Sequence, residues 1–299
     1  MSRYGSVGEQ GEWKNAVEHY HWDRLQQAYD LSLELGVGAT GVFGRFFRQI
    51  EAEHVTRVRA MLDNPTDWLT LESILSETEG ASGWEETVLQ ACDKIASRLG
   101  WLHGAPTMIS VLAGESDAPW AVGRYGYCVD KFPYDKICVP QASLFNGQLS
   151  ETVTHEYAHV ITLNLSEGTV PRYLDEAVAM VAQGEPDYRV LRGFANEQIR
   201  WLPVEEINAT YVQEMQAGGG QQLWFAYQQS AAIGHYLVSL NGEAGLGDLL
   251  RAFSDNSTLT ELRMRIVGQS PADEALQQVY GFGERELFER ALRWTRGEE

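Results

Sequence analysis

The stretch Thr154–Gly184, THEYAHVITLNLSEGTVPRYLDEAVAMVAQG, decides how the chain is read. It sets His155 and His159 four residues apart, with Glu156 directly after the first. Seventeen residues past His159 comes Glu176, within YLDEAVAMVAQ, where only Asp175, Glu176 and Gln183 are polar. On a helix, residues four apart share one face, one turn above the other. The two imidazoles then stand side by side, placed to chelate one metal ion, while Glu156 is rotated from them and can reach a water on that ion. A helix apolar nearly all round is a buried one. A carboxylate inside it is costly unless a partner compensates its charge.

Zinc that does chemistry takes three protein ligands and keeps a fourth position open. A third ligand of the metzincin kind needs Gly at 162 and His at 165, and the chain has Thr162 and Leu165 there. Glu176 is therefore the expected third ligand; the other reading pairs it with an arginine such as Arg172 or Arg192. Asp175 is expected either to receive the N–H of a liganding histidine or to sit solvated near a helix start, where the dipole favours it.

The pattern HEYAH, followed after sixteen residues by the Glu of YLDEAVA, resembles the gluzincin clan of zinc peptidases. It is closest to the aminopeptidase N-like branch and to peptidase MA-like bacterial proteins. Two further segments agree: AYQQSAAIGHYLVSLNG (226–242) resembles the helix that carries a catalytic tyrosine in those enzymes, and ALQQVYGFGERELFERALRW the end of their domains. The resemblance covers about residues 84–299. It implies a zinc-dependent peptidase acting on a peptide or protein, with one catalytic Zn2+ held by His155, His159 and Glu176. It also implies Glu156 as general base and Tyr227 as oxyanion donor, with His235 as the rival donor of thermolysin-like relatives. The strand ending near Val139–Leu144 would be an edge strand that pairs with an extended substrate. The chain departs from the pattern at Ala177, where many relatives have glycine. It also lacks a Gly-x-Met-Glu-Asn stretch to hold a substrate N-terminus, which turns the expectation toward an endopeptidase or an enzyme of narrow specificity. Two alternatives stand beside it. One is a zinc hydrolase of a non-peptide amide or ester. The other is a partner-binding protein that recruits through residues 1–82 and carries a structural or vestigial zinc site. Glu156 speaks against the latter, since a purely structural site needs no general base.

Composition narrows the partners. Forty-two acidic against 23 basic residues give a net charge of −19, which argues against nucleic acid or an anionic membrane surface as main partner. No run of about 18 apolar residues is present, so no membrane span is expected. The first residues have no apolar leader, and three cysteines, Cys92, Cys128 and Cys138, fit a reducing cytoplasm. A hairpin turning around Pro133 would set Cys128 opposite Cys138; reduced thiols are the expectation.

The fold class expected is α+β, mostly helical, with a small antiparallel-rich sheet beside the zinc helices. Residues 1–82 read as an N-terminal helical domain of unknown role. Helices are expected at 15–36 and 42–62, with a shorter one after Pro65. Residues 83–299 read as the gluzincin-like core, an α/β subdomain at 83–148 and a helical one at 149–299. Helices are expected at 84–99, 148–165, 171–183, 221–240, 244–255, 258–267, 271–280 and 283–296, strands at 107–113 and in the hairpin 124–140. The run QAGGGQQ (216–222) reads as a surface loop or a hinge beside the site.

Overall fold

The computed structural model describes residues 69–73, 83–101, 107–112, 127–129, 135–140, 142–216, 220–255 and 270–298. The helices expected at 15–36, 42–62 and 258–267, and the centre of the glycine-rich run, lie outside them. So does every residue of 1–82 except 69–73.

The chain divides into two compact units, with one boundary inside the long histidine-bearing helix, between Glu156 and Tyr157. The first unit holds the sheet. Strands β1 (Leu69–Ser73), β2 (Thr107–Leu112), β3 (Tyr127–Val129) and β4 (Asp135–Pro140) lie in the order β1-β2-β4-β3. β1 runs parallel to β2 and β2 parallel to β4; only β3 and β4 are antiparallel. The sheet is therefore mostly parallel, contrary to expectation. The helix expected after Pro65 is replaced by β1, where Leu69, Thr70 and Leu71 pair with Thr107, Met108 and Ile109. That pairing also draws residues on both sides of position 82 into one sheet. β4 is interior, flanked by β2 and β3, so it is not the expected edge strand. Ile109, Ile137, Cys138 and Val139 are buried. Such a β-branched, two-sided burial is what a parallel strand needs.

β3 and β4 pair antiparallel, but one residue out of the register anticipated for the hairpin. Tyr127 opposes Cys138, and Cys128 opposes Ile137. Cys92 and Cys138 are both buried, and burial pushes the Cys92 thiol well above its ordinary pKa. Instead of continuing as a strand, the chain turns after β4 into α2 (Ala142–Phe145).

Helix α1 (Trp84–Leu99) runs from the first unit into the second. It buries Val88, Ala91, Cys92, Ile95, Ala96 and Leu99, a stripe at helical spacing. Gly100 stops it in the left-handed region at φ 64°.

Among the described residues the second unit is helical: α4 (Arg172–Gln183), α5 (Tyr188–Ala195), α6 (Val204–Gln216), α7 (Gln221–Asp255), α8 (Pro271–Tyr280) and α9 (Glu284–Thr295), preceded by the greater part of α3 (Leu149–Leu165). α7 joins the two helices expected at 221–240 and 244–255 and breaks at Gly242 (φ 69°, ψ −179°). α8 starts on Ser270, whose hydroxyl accepts from the Asp273 N–H, with Pro271 in the first turn; Gly281 ends it in the left-handed conformation. The region 185–216, where the sequence led to no expected helix, holds α5 and α6.

α4 is buried on nearly every side, from Tyr173 to Ala182 with Met180 the exception. α7 packs along it so closely that a Cβ on Gly234 would lie 2.6 Å from the Ala177 carbonyl oxygen. Arg98 of α1 closes the far end. Its guanidinium donates to the Val181 and Ala182 carbonyls at 3.3 and 3.1 Å and pairs with Glu243, just past the Gly242 break. Three buried side chains of α7 tie down the intervening chain. Gln228 accepts from Asp187 N, Gln229 bonds both the N–H and the carbonyl of Leu202, and Ser230 bonds the Tyr211 hydroxyl. No helix among the described residues is long and apolar enough to cross a membrane.

Candidate metal centre

α3 is continuous through its histidines. Val153, Tyr157, Val160 and Ile161 are fully buried on it, which fixes its rotation and turns His155 and His159 to one side. His155 is half-buried, while His159 and Glu156 are 4% and 5% exposed. After Leu165 the chain reverses through Glu167 and Gly168, both at positive φ, and enters α4 at Pro171. The first turn of α4 has no side-chain cap of its own; Asn208 of α6 accepts the Tyr173 N–H at 3.1 Å. This places Glu176, which is wholly buried, against the histidines.

His155, His159 and Glu176 each offer one donor atom, and the three atoms lie within 4.8 Å of one another. The Nδ1–H of His159 donates to Oδ1 of Asp175 at 2.6 Å. That bond fixes the tautomer and leaves Nε2 facing Oε2 of Glu176 at 3.6 Å. Burial works strongly against a charge on His159, yet the Asp175 and Glu176 carboxylates outweigh it and push its pKa up to about 9. Two buried carboxylates turned toward the two nitrogens of one imidazole make a pocket suited to a cation. The donor set, two imidazoles and one carboxylate, is that of a zinc site with an open position, so the residues fit the metal.

The arginine named as the other partner of Glu176 is also engaged. Arg172 pairs with Oε1 of Glu176 at 2.6 Å and with Oδ2 of Asp175 at 3.1 Å. The two readings of the buried carboxylate are thus compatible, one on each oxygen. Desolvation works against the charge of the Arg172 guanidinium, yet Glu176 and Asp175, with smaller contributions from Tyr227 and Tyr211, hold it above its ordinary pKa.

Tyr227 is half-buried on α7, its ring edge-on to that of Tyr211 at 5.2 Å. Tyr211 is buried; burial foremost, then the charge of Glu176, drives its pKa well above the usual phenol value. Both phenols therefore lie near the Arg172–Glu176 end of α4. His235, the rival donor, is elsewhere: its Nε2–H donates to the Gly184 carbonyl at 3.0 Å. Gly184 is eight residues past Glu176, about 12 Å along the helix axis. Asn208 and Tyr211 were not anticipated from sequence. Pro203 followed by Glu205 and Glu206 is a legible helix start, and Asn208 and Tyr211, three apart, share the face of that helix.

No curated protein matches the chain. The model of the Peptidase MA superfamily matches residues 126–295, more than half of the sequence and the whole of the histidine–glutamate constellation, and the chain belongs to that superfamily.

Proposed function

We propose that the protein is a zinc-dependent peptidase acting on a peptide or protein, as an endopeptidase or an enzyme of narrow specificity. The observation that carries the reading is the approach of the His155, His159 and Glu176 donor atoms to within 4.8 Å. It is supported by the orientation of His159 through Asp175 and by the family. Zinc held there supplies a Lewis acid for the scissile carbonyl and lowers the pKa of a water. The remaining steps belong to side chains. Glu156, one residue along α3 from His155, takes a proton from the water as its oxygen adds to the carbonyl carbon. It returns that proton to the amide nitrogen as the C–N bond breaks, giving a carboxylate and an amine. The Tyr227 hydroxyl donates to the oxygen that gains negative charge, a contribution for which loss of one donor typically costs about 10²–10³-fold in turnover. Asp175 keeps the His159 ring in its liganding tautomer.

The test is metal content and turnover measured side by side on a quenched-fluorescence peptide library. Glu156→Gln keeps one equivalent of zinc and loses about 10²–10⁴-fold in rate; His159→Ala loses zinc and rate together. A Gln variant that cleaves as fast as the parent removes Glu156 from the mechanism, and a parent that purifies without a stoichiometric metal removes the mechanism itself.

A further inference from the structure

The four carboxylate oxygens of Asp175 and Glu176 divide into two pairs. Oδ1 of Asp175 and Oε2 of Glu176 face the two ring nitrogens of His159, at 2.6 and 3.6 Å. Oδ2 of Asp175 and Oε1 of Glu176 face the guanidinium of Arg172, at 3.1 and 2.6 Å. The spacing makes this natural, because Arg172 stands three and four residues before the two acids and all three share one helix face. The acid side chains are 4% and 0% exposed, whereas that of Arg172 is 43% exposed. The arginine reaches in from the solvent side and spans both acids with one rigid fork.

Two buried carboxylates so close together need positive charge at all times, not only while metal is present. We propose that Arg172 is a resident counter-cation of the metal centre. Its guanidinium keeps Asp175 and Glu176 compensated while the site is empty of metal, and it sets the metal affinity by opposing the incoming dication. This rests on the metal reading above. It adds that the metal-free protein keeps its site assembled, and that the affinity is weaker than these three ligands would give without the arginine.

The sign of the effect separates this role from a merely geometric one. If Arg172 only held Glu176 in orientation, removing it would loosen the metal. As a like charge beside a dication, its removal tightens the metal while destabilising the empty protein. The experiment uses the full chain at fixed pH, as parent, Arg172→Met and Arg172→Lys, each stripped with chelator. Melting temperature is read with and without zinc, and zinc affinity by competition with a chromogenic chelator. Arg172→Met without zinc melts about 5 °C below the parent, gains more from zinc than the parent does, and binds it about tenfold more tightly. Arg172→Lys, which keeps the charge, binds zinc within about threefold of the parent. A Met variant that folds only with zinc supports the role. A Met variant that binds zinc no more tightly than the parent overturns it, as does one still unfolded at saturating zinc. A parent that takes up no zinc overturns the metal assignment as well, and so is told apart from failure of the counter-cation alone.

Discussion

Gly234→Ala tests whether the approach of α7 to α4 is what places the Glu176 ligand. Two effects oppose each other. Inside a helix, alanine is favoured over glycine by about 1 kcal/mol. Against that, the new Cβ would meet the Ala177 carbonyl oxygen at 2.6 Å and a Val181 methyl at 2.7 Å. The valine can turn aside, but the carbonyl belongs to the backbone of α4. Relief therefore requires the two helices to part by roughly half an ångström, and crowding of this kind costs about 1–3 kcal/mol. The crowding wins, for a net loss of about 1 kcal/mol and a fall in melting temperature of about 2–4 °C. Ala177 adjoins Glu176, so the same displacement moves a ligand atom and weakens zinc binding. Differential scanning calorimetry and chelator competition read the two effects separately. A variant that melts higher than the parent and binds zinc equally well would show that propensity dominates and that the helix spacing is slack, refuting the reasoning.

Two further perturbations probe the supports of the same helix. Asp175→Asn keeps an acceptor for the His159 Nδ1–H but removes the charge, and zinc affinity falls about 10–100-fold by chelator competition, opposite in sign to Arg172→Met. Glu243 accepts from Arg98 at 2.5 and 2.6 Å, which holds its carboxyl below the ordinary value of 4.5. Because the folded pKa lies below the unfolded one, the stabilisation is fully present above pH 4.5 and is lost as pH falls through the folded value. Glu243→Gln consequently lowers the melting temperature at pH 7, and the gap to the parent closes in acid; a gap independent of pH would contradict the ion pair.

What the sequence revealed, and what it hid, follows from the range of the forces involved. α1, α4 and α8 were legible to within a residue or two because α1 and α8 are periodic apolar stripes and α4 is apolar nearly all round, and each is closed by a glycine, Gly100, Gly184 or Gly281. The His155–His159 pair was legible because helical spacing alone sets it. The sheet was misread because strand order is a long-range property. Nothing within LTLES announces a parallel partner at 107–111, and the apolar residues of that segment serve a helix equally well. Parallel neighbours give no hairpin signal, so only the β3–β4 turn was visible. The sequence offered Arg172 and zinc as rival partners for Glu176, because a string of letters does not show that a carboxylate has two usable oxygens. Tyr227 and His235 are residues of one helix and the sequence does not rank them; in the structure Tyr227 lies toward Arg172 at the start of α4, whereas His235 bonds Gly184 at its end.

α4 is thus held at three places by three different kinds of contact. Asn208 takes the orphan N–H at its start, Gly234 admits α7 at its middle, and Arg98 gathers the carbonyls at its end. None of these residues offers a donor atom to the His155–His159–Glu176 cluster. A ligand on one helix and two on another can meet a single ion only if the separation of the helices is fixed to a fraction of an ångström. The histidine helix cannot fix it alone, because its own register says nothing of where Glu176 will be. The anchors of α4 therefore matter to the site as much as the ligands do, and substitutions at Asn208 and Arg98 should reach the metal through the position of α4 even though neither side chain belongs to the donor set.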